Sequence, residues 1–437
     1  MKTESLVYLC TSDISGKLRG KGFPAAMIDG GASRAVGWTP TNVQITCFDT
    51  IADSPYGALG DLVLVPDPAT RARVDFGDDG PVEDFMLGDV LHLDGRPWEC
   101  CTRAILRQAL ERLEAAAGLG LFGAFEHEFH LPRRGGPKGE SYTLSGFRSE
   151  RHFGEVLVAA LAAAGIAPDT FLREYGPDQF EVTIQPVRAI AIADQAAVLR
   201  EVTRATGERL GRPVSFSPLR RPGAVGNGVH IHLSFRDPED RPATYDPDGP
   251  HGMAAVTGAF IAGVLRHLPA IIAFTAPSVI SYQRLVPHRW SAAFNNLGQQ
   301  DRESAVRLCP VTTFGEADPA AQFNFEIRAA DAAASPHLAL AAIVHAGVSG
   351  IEAGLAPPEA TEEDISEWDV SALSARGFER LPRSLDAALE RLQGDADVRG
   401  WFPPGFVDIY LAHKRDEIAY LADMTEEQAC AAYEEVY

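Results

Sequence analysis

The sequence lacks the features that mark several common classes of protein. Basic residues are too few for a nucleic-acid or anionic-membrane partner, because 39 lysines and arginines stand against 60 acidic residues and leave a net charge of −21. The six cysteines form no CxxC pair, which favours reduced, structural thiols over a disulfide framework. No apolar run reaches the roughly 18 residues of a membrane span, and no secretory signal opens the chain. We therefore expect a cytoplasmic protein that acts away from nucleic acid and membrane.

What the sequence does contain is material for more than one hydrophobic core. Its 437 residues are 46% apolar, which predicts roughly two to three domains. Up to about residue 95 the pattern is one of short strands between glycine- and proline-rich turns. From Thr102 the stretch TRAILRQALERLEAAAG has a helical period and ends at Gly118, a residue suited to a helix C-cap. The sequence predicts an α+β fold with one domain over residues 1–97 and a second over 98–437.

Beyond residue 118, strands and helices interleave. Alternating apolar residues predict strands over 121–131, 179–185, 227–235 and 322–329. Helical periodicity predicts helices over 149–164, 189–210, 251–274, 337–354, 382–393, 404–421 and 425–436. The acidic segment 356–382 has neither pattern, and we interpret it as an irregular surface excursion.

The four predicted strands share one design, in which one face is strongly apolar and the other carries charged groups. In GAFEHEFHL, residues 123–131, the alternation places Glu126 and Glu128 on one face, with carboxylates about 7 Å apart. A sheet with one side in water accounts for any single strand of this kind. Four such faces together carry few of the mixed polar residues typical of a solvated surface. If the faces are buried, something positive must lie between the carboxylates.

Carboxylates and an imidazole on these faces form a set of ligands for hard divalent cations. Such groups suit Mg²⁺ or Mn²⁺ better than structural zinc, which prefers cysteine and histidine. Each ion of a two-metal site needs about three protein ligands when substrate phosphates supply the rest. Six candidates are present: Glu126, Glu128, Glu174, Glu181, His230 and Glu326.

Arginines follow the acidic strands along the chain. In an acidic protein, arginines beside a metal site are typical of a clamp for phosphates and carboxylates, although each could instead form a surface ion pair. The arginines are Arg284, Arg289, Arg302, Arg307 and Arg328.

These motifs, in this order, resemble the glutamine synthetase family over nearly the whole chain. The motifs are SDISGKLRGKGFP, GDLVLVPDPAT, GAFEHEFHL, REYGPDQFE, GNGVHIHLSF, SYQRLVPH, DRESAVRL and NFEIRAADAAASPHL. The resemblance implies a β-grasp-like N-terminal domain and a catalytic domain with a curved antiparallel sheet. It also implies a homo-oligomer, a dodecamer of two hexameric rings.

The resemblance also implies a reaction and a role for each matching residue. The γ-carboxylate of glutamate takes the γ-phosphoryl group of ATP, and an amine then displaces phosphate from the acyl phosphate. Two or more divalent ions would be held, the first by Glu128, Glu174 and Glu181, and the second by Glu126, His230 and Glu326. Glutamate would be bound by Arg284, Gly226 and Arg328, and ATP by His232, Ser234, Arg302 and Arg307. Arg302 and Arg328 would act on the reacting groups. The resemblance does not identify the base that deprotonates the amine, and Glu174 is our candidate for it.

The sequence departs from the family pattern where the ammonium site should be. Six residues after Arg284, the family has a glutamate that helps to bind and deprotonate ammonium, and this chain has Trp290. An indole offers an apolar wall or a cation–π surface, although Trp290 could also fill a gap in the core. Val225 replaces an asparagine that orients the substrate acid in the family, so the acid need not be glutamate.

We interpret the chain as a ligase that joins glutamate to an organic amine. The acceptor stays open among polyamines, ethanolamine, alkylamines and arylamines. The alternatives are a glutamine synthetase that uses ammonium and a catalytically silent regulatory or structural relative, although the silent relative would be expected to lose metal ligands.

Overall fold

Two β-sheets and the helices that cover them organise the α+β fold of this chain. The computed structural model describes residues 4–29, 35–132 and 139–437. The described strands of the first sheet are β1 Leu6–Ser12, β2 Leu18–Pro24, β3 Val36–Trp38, β4 Leu62–Pro66, β5 Ala72–Val74 and β6 Glu83–His92. Those of the second are β7 Gly120–His130, β8 Pro168–Arg173, β9 Gln179–Ile184, β10 Val187–Arg188, β11 Val229–Arg236, β12 Leu297–Gly298, β13 Val306–Leu308, β14 Phe325–Ile327 and β15 Ala360–Thr361.

Most of the helices follow the second sheet's strands along the chain. The described α-helices are α1 Ala26–Asp29, α2 Thr102–Ala117, α3 Leu144–Ser149, α4 Arg151–Ala163, α5 Ala191–Arg209, α6 Ala255–Thr275, α7 Ser281–Arg284, α8 Pro319–Gln322, α9 Pro336–Glu352, α10 Val370–Ala375, α11 Leu385–Gly394, α12 Ala396–Trp401, α13 Phe406–Leu421 and α14 Glu426–Val436. Gly118 ends α2 with a φ of 66°, which confirms the predicted C-cap.

The first sheet has the order β2-β1-β6-β4-β3, with β5 also paired to β6. It is mixed, since β1 runs parallel to β6 while the other pairs are antiparallel. Its apolar face is buried through residues such as Val7, Leu9, Leu64 and Leu87. This sheet gives the N-terminal part of the chain a regular scaffold of its own.

The second sheet has the order β15-β12-β13-β14-β11-β7-β9-β8, with β10 beside β7. The four strands with predicted polar faces, β14, β11, β7 and β9, are therefore consecutive neighbours, and they pair antiparallel. In register, Glu126 lies opposite His230, and Glu128 lies opposite Glu181. The expected antiparallel pattern fails at the far edge, where β12 pairs parallel with both β13 and β15.

Two predicted elements differ from the observed ones. The strand predicted over 322–329 is limited to β14, because the side chain of Asp318 caps the short helix α8 just before it. The helix predicted over 149–164 is divided at Glu150, whose φ of −125° and ψ of 19° lie outside the helical range. The remaining predicted helices are confirmed within a few residues at each end.

Helices α6 and α9 form the centre of the hydrophobic core, and they contact each other through glycines. A Cβ atom on Gly263 would lie 2.2 Å from the Ala346 oxygen, and one on Gly350 would lie 2.1 Å from the Ala259 oxygen. Helix α6 is long and apolar enough to cross a membrane by length and composition, but most of it is buried inside the protein. Its all-round apolar surface is that of a core helix.

The acidic segment 356–382 is not simply a surface excursion, so that interpretation is wrong in part. Ile365, Leu373 and Phe378 are buried in a small apolar cluster with Ala293 and Phe294. These contacts pack the segment against the stretch of chain that follows Arg284. The acidic residues between these buried positions therefore lie close to the stretch of chain that follows Arg284.

Candidate active site

The centre of the candidate site is a group of three side chains on adjacent strands. One ligand atom from each of Glu126, Glu181 and His230 lies within 4.8 Å of the other two. His230 Nδ1 lies 2.5 Å from Glu126 Oε1. Hydrogen bonds from His230 and His232 hold the pKa of the Glu126 carboxyl below its ordinary value, although burial acts in the opposite direction. The polar faces of β7, β9 and β11 therefore converge as the sequence predicts.

Glu181 carries the clearest electrostatic sign of a cation site. Burial and the nearby carboxylates of Glu126, Glu128 and Glu174 together raise the pKa of its carboxyl to about 10. Four carboxylates in one buried region repel one another unless positive charge lies among them. Oxygen donors with one imidazole are the donor set that hard divalent cations prefer. The residues present therefore fit the divalent cations that the family resemblance implies.

Glu128 and Glu174 border this group, and each is oriented by hydrogen bonds. The Gly228 N–H donates to Glu128 Oε2 over 2.7 Å, and Gln179 Nε2 donates to the same oxygen over 2.9 Å. The Tyr142 hydroxyl donates to Glu174 Oε2 over 2.6 Å. Both carboxylates are thus positioned beside Glu181, with oxygens left for further contacts.

Glu326 is held by arginines on one side and by an imidazole on the other. Its Oε1 accepts from Arg307 over 2.9 Å and from Arg328 over 2.8 Å, and its Oε2 lies 3.2 Å from His232 Nε2. Ligand atoms of Glu326, His232 and Cys309 lie within 4.8 Å of one another and form one possible metal-binding group. Glu126 and His230 belong to a different group, with Glu181. The assignment of Glu326 to one ion with Glu126 and His230 stays a prediction.

Arg284 and two glycines form a small, cationic recess next to the carboxylates. The guanidinium is buried, and it donates to the Ala330 oxygen over 2.8 Å and to Ser291 Oγ over 3.2 Å. A Cβ on Gly226 would lie 2.6 Å from Arg284 carbons. A Cβ on Gly228 would lie 3.3 Å from His230 Nε2 and 3.5 Å from Arg284 NH1. The glycine at position 228 therefore keeps open the space between these two side chains.

Arg328 and Arg302 occupy different environments. Arg328 is buried, and its Nε donates to the backbone oxygen of Arg302 over 2.9 Å. Its NH2 group also approaches the backbone oxygen of Trp290 at 3.4 Å. The Arg302 side chain is exposed, so the structure places Arg328, but not the Arg302 guanidinium, among the converging groups.

A cavity of about 300 Å³ opens beside the carboxylate group, against β7, β9, β11 and the stretch 321–324. His232 and Ser234 line it, together with Phe122 and Asn324. Asn324 Oδ1 lies 3.0 Å from His232 Nδ1 and fixes the position of the ring. Of the four residues predicted to bind ATP, the two on β11 line this cavity, whereas Arg302 and Arg307 are not among its described lining residues.

Trp290 lies on an exposed loop, so it does not fill a gap in the core. Its side chain is 55% exposed, and the indole ring lies 5.2 Å from the ring of Tyr175. Its φ is 52°, a left-handed conformation that is uncommon for a bulky residue. Glu303 holds the loop in this conformation, since its two carboxylate oxygens accept from the Trp290 N–H over 2.7 Å and the His288 N–H over 2.8 Å.

Sequence reasoning missed several residues that complete the site. Tyr175 directly follows Glu174, and Gln179 lies two residues before Glu181, so their place in the motif could have identified them. Tyr142 and Glu303 act on residues 32 and 13 positions away, respectively. Sequence spacing carries little signal for contacts of that kind.

Comparison with known proteins agrees with this geometry. The glutamine synthetase N-terminal domain matches residues 1–98, and the glutamine synthetase catalytic domain matches residues 99–433. The chain belongs to the glutamine synthetase family. As a family member it is an ATP-dependent ligase that forms carbon–nitrogen bonds, and divalent metals serve that chemistry throughout the family.

Two proteins and two solved structures illustrate what this chain is similar to. Gamma-glutamylpolyamine synthetase GlnA3 of Streptomyces coelicolor is 33% identical over 98% of this chain and 92% of that protein. A glutamine synthetase of Thermococcus kodakarensis is 28% identical over 95% of this chain and 90% of that protein. A crystal structure described as a novel glutamine synthase homolog has a TM-score of 0.92 at 40% identity, over 100% of this chain and 99% of that one. A solved structure described as a GmaS/ADP complex has a TM-score of 0.81 at 26% identity, over 97% of this chain and 95% of that one.

Proposed function

We propose that this protein joins the γ-carboxylate of glutamate to an organic amine, with ATP as the energy source and a γ-glutamyl phosphate as the intermediate. The observation that carries the proposal is Trp290, which stands at the family's ammonium-binding position. The indole is exposed there, and it lies beside Tyr175, which directly follows Glu174 in the sequence. An aromatic surface of this kind suits the carbon chain of an amine better than it suits a bare ammonium ion.

The first half of the reaction brings anions together. A glutamate carboxylate oxygen attacks the γ-phosphorus of ATP, and ADP leaves. Divalent cations, Mg²⁺ or Mn²⁺ held by the six candidate ligands, would offset the charge of the phosphates. Arg284 would hold the α-carboxylate of glutamate, and the position of its guanidinium beside Gly228 supports this role. The cavity lined by His232 and Ser234 is the expected position of the nucleotide.

In the second half, the amine nitrogen attacks the acyl carbon, phosphate leaves, and the nitrogen loses a proton. Arg328 would act on the reacting groups, and its hydrogen bonds to Glu326, a candidate metal ligand, and to the Arg302 backbone support this role. Glu174 is the candidate base, because it directly precedes Tyr175, one of the two residues of the aromatic pair. The Tyr142 hydroxyl bonds one of its oxygens and leaves the other available.

Glutamine synthesis from ammonium is the second candidate. Glu303 accepts from the Trp290 N–H, and Glu174 directly precedes Tyr175, the ring partner of Trp290, so anions that could hold an ammonium ion are present around the loop. Against it, the Glu303 carboxylate already accepts two backbone hydrogen bonds. The name of the Streptomyces relative, a polyamine-using enzyme, also supports the organic amine.

A panel of amines tests the proposal. ADP release would be measured with glutamate and ATP and with each of ammonium, methylamine, butylamine, ethanolamine, 1,4-diaminobutane and aniline. We expect at least one organic amine to give a larger kcat/KM than ammonium, and mass spectrometry to find the γ-glutamyl amide. Turnover with ammonium alone would replace the proposal by glutamine synthesis.

We further propose that the active form is a dodecamer of two hexameric rings, as the family resemblance implies. Several large apolar side chains of the N-terminal part, including Leu6, Ile51 and Leu59, are exposed in the single chain and would be covered by assembly. Native mass spectrometry should give a mass of twelve chains. A monomer with full activity would contradict this assembly.

A further inference from the structure

A second cavity, of about 310 Å³, lies on the side of the Trp290 loop that faces the acidic segment. Its walls come from two stretches, residues 287–303 and 362–366. Five carboxylate side chains line it: Asp301, Glu303, Glu362, Glu363 and Asp364. His288 is the one basic side chain among the described residues of the lining. A cavity with this balance of charge favours a cation.

Three of the five carboxylates have structural roles. Glu303 holds the backbone of the Trp290 loop. Asp301 accepts from the Glu303 N–H over 2.7 Å, and Asp364 accepts from the Ser366 N–H over 2.9 Å. Glu362 and Glu363 are exposed, and within the described parts of the chain neither accepts a hydrogen bond or forms an ion pair. Two negative groups at the cavity are therefore free to bind a ligand.

A buried amide gives an independent sign that the cavity is built to bind. Asn296 lines the cavity and is 1% exposed. Its Nδ2 donates to Thr361 Oγ1 over 2.8 Å and to Asp301 Oδ2 over 3.3 Å, but its Oδ1 accepts no hydrogen bond from any described residue. A buried acceptor without a partner is costly, and an N–H donor in the cavity would satisfy it.

Trp290 connects this cavity with the place of reaction. The residue lines the cavity, while its ring contacts Tyr175 next to Glu174 and its backbone oxygen receives Arg328. Phe294 adds a second aromatic wall to the cavity. An alkyl chain laid across the indole would have one end beside Tyr175, the neighbour of Glu174 in the sequence, and the other in the acidic cavity.

We propose that this cavity binds the distal ammonium group of a diamine or polyamine whose other amino group is acylated. The inference rests on the proposed function and specifies its acceptor. The proximal amine forms the C–N bond and loses its proton as phosphate leaves, whereas the distal group keeps its charge. Glu362 and Glu363 supply the counter-charge, Asn296 Oδ1 accepts an N–H, and Trp290 packs against the methylene groups. An aromatic or uncharged amine has no group for these contacts.

A pair of amines of equal chain length tests the inference. The kcat/KM for 1,4-diaminobutane and for butylamine would be measured at saturating glutamate and ATP, and their ratio compared between variants. We expect the ratio to exceed about tenfold in the wild type, and to fall toward one, mainly through the KM for the diamine, in the double variant Glu362→Gln/Glu363→Gln. Raising the salt concentration should lower the ratio in the wild type, because exposed charges are screened. The control Glu111→Gln removes an exposed carboxylate that does not line the cavity, and should leave the ratio as it is.

The outcomes separate this inference from the proposed function. The inference is wrong, and the amine ligase stands, in either of two cases. In the first, the wild type uses butylamine or aniline as well as the diamine. In the second, the double variant lowers the kcat/KM for 1,4-diaminobutane and for butylamine by the same factor. If ammonium alone is used, the proposed function and the inference both fall.

Discussion

The indole ring of Trp290 lies 5.2 Å from the ring of Tyr175, with the two planes inclined by 48°. The two residues come from different parts of the chain, a loop after α7 and the turn that follows Glu174. Together they place an aromatic surface next to a carboxylate that borders the candidate cation site. Residue 290 is therefore in a position to select the group that receives the acyl chain.

Replacing Trp290 by glutamate should change the preferred acceptor. A carboxylate at position 290 gives ammonium an anion and removes the apolar wall, so we expect the kcat/KM ratio of ammonium to organic amine to rise at least about tenfold. The control Trp290→Phe keeps an aromatic side chain and should keep the wild-type preference. An unchanged ratio in Trp290→Glu would separate residue 290 from acceptor choice.

Arg284→Lys should weaken the use of glutamate more than the use of ATP. The lysine keeps the charge but loses the planar fork of donors, so we expect the KM for glutamate to rise by roughly 10- to 100-fold. Initial rates at varied glutamate and varied ATP measure both constants. Arg289→Lys, at an exposed arginine of the loop that follows α7, is the matched control, and a similar effect there would contradict the assignment.

Two neighbouring glycines should respond differently to alanine. In Gly228→Ala, the new Cβ would lie 3.3–3.7 Å from His230, Arg284 and Glu128, so the protein should fold and lose most of its activity with glutamate. In Gly226→Ala, the Cβ would lie 2.6 Å from the Pro218 oxygen and from Arg284, so the unfolding temperature should fall as well. Thermal unfolding and ADP release measured on the same samples distinguish the two. An active Gly228→Ala enzyme would show that the recess is not the substrate's position.

Glu181→Gln should uncouple cation binding from stability. The Glu181 carboxylate is buried among Glu126, Glu128 and Glu174, so removing its charge relieves repulsion but deletes a ligand. We expect Mn²⁺ affinity by calorimetry to fall at least about tenfold, and the unfolding temperature without added cations to hold or rise. Glu155→Gln, at an exposed glutamate of α4, should leave both quantities unchanged. Equal Mn²⁺ affinity in wild type and Glu181→Gln would remove Glu181 from the ligand set.

Acidification should destabilise the protein through its buried histidines. Burial, together with the charge of Arg112, lowers the pKa of the His345 imidazole to about 3 from an ordinary value of 6.5. Because the unfolded chain binds this proton below pH 6.5 and the folded chain does not until about pH 3, stability is lost as the pH falls through that window.

The size of this effect can be measured with one substitution. Urea unfolding between about pH 7.5 and 5.5 should show a shallower loss in His345→Leu than in the wild type, by up to about 1.4 kcal/mol per pH unit below 6.5. His152→Leu, at an exposed histidine of α4, should keep the wild-type slope. Parallel slopes for wild type and His345→Leu would show that His345 is not buried in its neutral form.

Strand periodicity predicts which side chains of the candidate site share a face of their strand. Glu126, Glu128, Glu181 and His230 all follow from alternation along single strands, and their strands are neighbours in the sheet. Alternation states which face a side chain takes, but not which strand lies beside it. The pairing of Glu126 with His230, 104 residues away, therefore had to come from the structure.

The loop around Trp290 shows the limit of sequence reasoning. Its position came from counting along a motif, but its exposure, its left-handed backbone and its support by Glu303 depend on contacts that no local pattern encodes. The same holds for the acidic segment 356–382. Its buried residues Ile365, Leu373 and Phe378 are too widely spaced for a helical or strand period, although they pack on Phe294.

The hydrogen bonds from the backbone of His288 and Trp290 to Glu303 have an evolutionary consequence. Because Glu303 holds the loop through its main chain, these hydrogen bonds do not depend on the identity of the side chain at position 290. A single codon change there can offer a new surface to the acceptor while the fold and the phosphoryl-transfer machinery stay intact. A saturation library at this one position, with Glu303 left in place, is therefore the shortest route to enzymes that make other amides.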